Sequence, residues 1–207
     1  MKALATFALG LCMTAVGSAH AADRFPPIPP DRMNPEQKKV ADAIASGPRK
    51  SLSGPFNAWL RSPELADRLQ KVGEYLRFNT SLPHRLNEFA ILITAREWDA
   101  QYEWYAHYPL AMKAGLNPAV ASDLAAGKRP GGMQEDEALV YDFTTELRRT
   151  KTVSDATYAA AVAKFGEQGV MDLIAVNGYY DLVSMTLNVA GVSVPAGETP
   201  PLAPLKR

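Results

Sequence analysis

Residues 83–114, PHRLNEFAILITAREWDAQYEWYAHYPLAMKA, decide the fold. Leu82-Pro83 opens a helix, because proline at a first turn costs no hydrogen bond. The helix continues through Phe89-Ala90-Ile91-Leu92-Ile93-Thr94-Ala95, a run apolar almost all round, which marks a central buried helix. A second helix follows in QYEWYAHYPLAMKAG, where Glu103, His107, Leu110 and Ala114 recur at helical spacing and share one face. Leu110 and Ala114 imply that this face is buried, so Glu103 and His107 form a polar pair entering a core. Pro109 removes a backbone donor beside His107 and is expected to bend the helix there.

The same grammar extends outward. Asn34-Pro35-Glu36 opens a helix that stops before Gly47, and Ser62-Pro63-Glu64 opens one to about Arg77. Asn117-Pro118 starts a short helix ended by Gly127, and Glu135 to Arg149 forms a long one. Ser154-Asp155 caps a helix ending at Gly166, and a last one runs from about Glu167 to Asn188. No segment alternates with period two for long enough to argue a sheet, so the sequence predicts an all-α helical bundle. One such domain is expected over residues 34–190, preceded by an extended proline-rich arm at 22–33 and followed by an extended or disordered proline-rich tail at 191–207.

The chain starts Met1-Lys2, continues apolar from Ala3 to Val16, and reaches small residues before Ala22, the pattern of a secretory signal peptide over residues 1–21. An exported protein, periplasmic or secreted, is therefore expected. The one cysteine, Cys12, falls inside that segment, so the mature chain has no thiol chemistry. Without Lys2 the 22 basic residues become one fewer than the 22 acidic ones, which points away from nucleic acid and from an anionic membrane surface. No later run is apolar for long enough to span a bilayer.

Imidazole chemistry after maturation falls on His84 and His107. His84, in a first turn, is expected to be exposed. A carboxylate one turn before an imidazole can fix its tautomer and raise its pKa, as an acid or base working near neutrality requires; the same spacing also suits a satisfied structural pair. Glu88 stands near a helix entrance, where it could simply serve the helix dipole. Arg96 could pair with Glu88 or clamp a substrate carboxylate. Asn177, Asp181, Ser184 and Asn188 line one face of the last helix, its solvent side by default, while Tyr179 and Tyr180 beside them could offer phenolic donors. No phosphate loop, nucleophile elbow or H-E-x-x-H occurs. One histidine with two glutamates makes a poor bundle metal site, and no metal or other cofactor is expected.

Glu88, Ala95-Arg96, Tyr102-Glu103-Trp104, His107, Gly178-Tyr179-Tyr180 and Leu187-Asn188, in this order, resemble the carboxymuconolactone decarboxylase family over roughly residues 52 to 195. The resemblance implies the fold of alkylhydroperoxidase D, a helical homo-oligomer that uses a glutamate, a Cys-x-x-Cys pair and a histidine. Ala100 and Glu103 stand where those cysteines would be, so a thiol peroxidase route is excluded. What the resemblance leaves is a cofactor-independent acid-base site, with His107 as the expected acid or base, Glu103 as the group that orients and tunes it, and Glu88 as a second proton carrier. Arg96, Tyr102, Trp104, Tyr180 and Asn188 become the candidates for contact with a small-molecule substrate. The expected substrate is a small lactone, carbonyl or aromatic-derived carboxylate undergoing decarboxylation or proton-transfer isomerisation. An exported oligomer that binds such a ligand without converting it is the alternative.

Overall fold

Capping chemistry sets the element boundaries. In the computed structural model, which describes residues 24–205, Asn34 and Gln37 close a reciprocal capping box at 2.8 and 3.0 Å and start α1 (Pro35–Ser46). Then come α2 (Phe56–Trp59), α3 (Pro63–Phe78), α4 (His84–Glu97), α5 (Gln101–Lys113), α6 (Pro118–Ala125), α7 (Glu135–Thr150) and α8 (Asp155–Ala190). No strand occurs among the described residues, and the chain is all-α. No helix there is long and apolar enough to cross a membrane. The signal peptide expected over 1–21 lies outside the described residues.

Helix α4 is the axis of the core. Leu86 to Arg96 are all buried, and α4 packs against α5, α6, α7 and α8. Its apolar circumference explains this position, since a helix without a polar face must be enclosed. The two last helices expected from the sequence are both present: they adjoin within α8 at Gly166, whose φ of 70° and ψ of 171° are not helical and end the first helix before the second begins. Helix α5 runs through Pro109 unbroken.

Three features go beyond what the sequence led one to expect. The arm carries a 3-10 turn at Pro30–Arg32, and it is tied down, with Asn57 accepting from the Ile28 N–H and donating to the Phe25 carbonyl. The short α2 was not anticipated; four residues give no periodicity to read. The tail after α8 is non-helical yet docked: Leu202 is buried, and its backbone N–H and C=O both bond the Gln101 side chain, at 2.9 and 2.8 Å.

Candidate functional site

The sharp turn between α4 and α5, with Asp99 at φ 49°, brings the middles of the two helices side by side. Glu88 thereby reaches His107: its Oε2 lies 2.7 Å from Nδ1. Glu103, one turn before His107 on α5, has Oε1 3.1 Å from Nε2. One imidazole is thus held at both nitrogens by carboxylates, and all three side chains are buried. Burial opposes charge on His107, but Glu88 and Glu103 outweigh it and raise the pKa to about 9. The ring is an imidazolium at neutral pH, with both N–H groups engaged. Two carboxylates bonded to one imidazole form a path along which a proton can pass between three side chains.

The buried stripe of α5 differs from the one expected. Glu103, Trp104, His107 and Ala111 are buried, whereas Leu110 and Ala114 are only partly so. The inference about Glu103 and His107 stands, carried by Ala111 one turn further on. Glu88, for which the helix dipole was explanation enough, lies beyond the first turn of α4 and serves His107 instead.

Above the trio opens a cavity of about 190 Å³. Its floor and walls include Glu103, His107, Tyr102, Tyr179, Tyr180 and Phe56, and its rim includes Arg49, Ser51, Ser53 and Arg77. Glu88 is absent from this lining and supports His107 from behind. The Tyr180 ring meets the His107 ring edge-on at 5.2 Å between centroids. The hydroxyls of Tyr179 and Tyr180 are buried and find no hydrogen-bond partner among the described residues. Burial pushes Tyr179 up to about 12, against the pull of the Arg49 guanidinium, and holds Tyr180 well above 10. Both phenols therefore stay neutral donors.

No family model, curated protein or solved structure matches the chain.

Of the eight candidates named from the sequence, five gather here: His107, Glu103 and Glu88 as a bonded trio, Tyr102 and Tyr180 in the cavity wall. The other three do not line the cavity. Arg96 neither pairs with Glu88 nor faces this space: its Nη2 donates to the Ala203 carbonyl at 2.9 Å and lies 3.4 Å from Asp99 Oδ1. Trp104 stacks on Tyr108 at 6.3 Å, away from the trio, because it is one residue off the Glu103–His107 face. Asn188 is exposed and donates to the Trp98 carbonyl at 2.8 Å. The polar stripe it belongs to is not a solvent face throughout: Asn177 and Ser184 are buried, and Asp181 pairs with Arg148 at 2.7 Å.

Arg49, Arg77 and Phe56 were not singled out in the sequence. One signal pointed toward them. Gly73 lies inside α3, where a glycine costs about 1 kcal/mol against alanine and so invites a packing reason. A Cβ there would stand 2.1 Å from the Tyr179 hydroxyl and 2.7 Å from Arg49 Nη2. Arg49 uses the space to donate to the Gly73 carbonyl at 2.8 Å.

Proposed function

We propose that the chain is a cofactor-independent acid-base enzyme of the cysteine-free branch of the carboxymuconolactone decarboxylase-like family, with an alkylhydroperoxidase D-like bundle. Its substrate is a small lactone, carbonyl or aromatic-derived carboxylate, and the reaction is decarboxylation or proton-transfer isomerisation. The observation that carries this is the imidazole clamped between Glu88 and Glu103 at the base of a cavity lined by two phenols that have no hydrogen-bond partner among the described residues.

The chemistry follows from which groups are free. His107 has both nitrogens engaged, so it acts as a proton reservoir, passing charge between two carboxylates. Glu103 touches both Nε2 and the cavity, and is the group that exchanges a proton with substrate carbon. Tyr180 and Tyr179, neutral and fixed, supply hydrogen bonds to a carbonyl oxygen that gains negative charge as a carbon–hydrogen or carbon–carboxylate bond breaks. A substrate that fills the cavity displaces water from those donors, and this strengthens the bonds.

The same proposal includes export and a homo-oligomer. Met171, Ile174, Met185 and Val189 stand exposed on α8. Met171 and Met185 are placed symmetrically about Gly178, as are Ile174 and half-buried Leu182, so a two-fold antiparallel pairing of α8 would match like with like.

A second reading has its own observation. With both His107 nitrogens satisfied, the trio could be purely structural, and the molecule an exported oligomer that binds a small ligand unchanged. Product analysis of purified protein with lactones and aromatic acids separates the two. Turnover that drops in Glu103→Gln while ligand binding persists supports the enzyme; binding without turnover across such a panel supports the binding protein.

A further inference from the structure

Arg49 belongs to no helix. It follows Gly47-Pro48 after α1, and it precedes the stretch that resembles the family. The segment before residue 52 therefore brings a charged group to a cavity whose other walls come from α2, α3, α5 and α8. Its guanidinium is fixed on two sides, by the Gly73 carbonyl at 2.8 Å and by the Phe56 ring, whose centroid lies 4.8 Å away. Its Nε is buried and has no partner among the described residues. Arg77 reaches the same rim from α3, and both guanidiniums act on the phenol of Tyr179.

Charge and size together define what fits. Among the side chains that line the cavity, Arg49 and Arg77 stand against the single carboxylate of Glu103, which leaves a positive surplus and places it at the rim. A space of 190 Å³ is slightly larger than an apolar cavity of about 150 Å³ that accommodates one benzene, so it suits one ring with a small substituent. Phe56, Tyr102 and Tyr179 offer aromatic walls for that ring, and a guanidinium presents paired donors to a carboxylate.

We infer that the cavity selects single-ring organic acids carrying a carboxylate, held at the rim by Arg49 together with Arg77, the ring lying over Glu103 and His107. This names the substrate class for the reaction proposed above and rests on it only for what happens after binding. Arg49 and Arg77 take the clamping role that the sequence offered to Arg96.

The test is binding to the full chain by titration calorimetry, with benzoate as the charged probe and benzamide as its neutral counterpart. Benzoate should bind at least tenfold more tightly than benzamide, and added salt should narrow the gap. Arg49→Gln should weaken benzoate tenfold or more while leaving benzamide within about twofold. Equal binding of the two probes to the unaltered chain, absence of benzoate binding, or an unchanged ratio in a folded Arg49→Gln chain would overturn the inference. The wild-type comparison decides the matter even if the variant does not fold. Arg49-dependent benzoate binding without turnover of any ring acid would sink the proposed reaction and leave the inference standing. Turnover with KM indifferent to Arg49 would do the reverse.

Discussion

Nδ1 of His107 lies 2.7 Å from Oε2 of Glu88, a residue nineteen positions earlier on the adjacent helix. This contact, and the one to Glu103 on the opposite side of the ring, make a buried imidazole that is charged at neutral pH.

Stability should depend on that charge. The folded pKa of about 9 lies above the ordinary value of 6.5, so the contribution is fully present below pH 6.5 and is lost as pH rises through 9. The difference corresponds to about 3 kcal/mol as an order of magnitude. Denaturant unfolding between pH 6 and pH 10 should show the decline, and NMR of the His107 ring should give its midpoint. A flat profile, or a ring titrating near 6.5, would contradict the geometry.

Removing either carboxylate should act in the same direction. Glu88→Gln and Glu103→Gln each delete one of the two charges that raise His107, so its pKa should fall in both. Turnover, once a substrate is in hand, should drop by about 10² to 10⁴ in Glu103→Gln, the range for losing a general acid or base. Unchanged rates in the presence of a lowered His107 pKa would remove Glu103 from the chemistry.

Gly73→Ala tests the approach of α3 to Tyr179. The added methyl would stand 2.1 Å from the Tyr179 hydroxyl and 2.7 Å from Arg49 Nη2, closer than real contacts allow. Overpacking of this kind costs about 1–3 kcal/mol. Thermal unfolding should register the loss, and an unaltered midpoint would mean that both side chains can move aside freely.

The docked tail should also be measurable. Leu202 is 3% exposed, and Arg96 and Gln101 bond the backbone beside it. Leu202→Ala should cost about 2 kcal/mol or more, as for other buried leucines. Faster proteolysis of the tail in that variant would locate the effect; a stability equal to the parent's would mean the tail contributes no packing.

A self-pairing α8 predicts a mass in light scattering that is a multiple of the single chain's. Met185→Lys should shift it toward the monomer, since the residue is exposed and its loss leaves the core intact. A monomer in the unaltered chain would remove the oligomer from the proposal.

The helices were legible because their signals are local. Asn34-Pro35, Asn117-Pro118 and Ser154-Asp155 each mark a start with a side-chain cap, and the structure begins a helix at the next residue in all three. The enclosed position of α4 was equally legible, from an apolar circumference that leaves no face for water. Glu103 and His107 could be paired from spacing alone, being one turn apart on one helix.

What the sequence by itself determined, then, was the set of helices, the central one among them, and half of the histidine's environment, all of it fixed by hydrogen bonds and periodicities within single elements. Only the tertiary structure decided that Glu88 takes the other nitrogen, that Arg96 turns to the tail, and that Arg49 and Arg77 line one cavity. Those relationships depend on the turn at Asp99, the close approach at Gly73 and the way separate helices pack, none of which leaves a periodic trace along the chain.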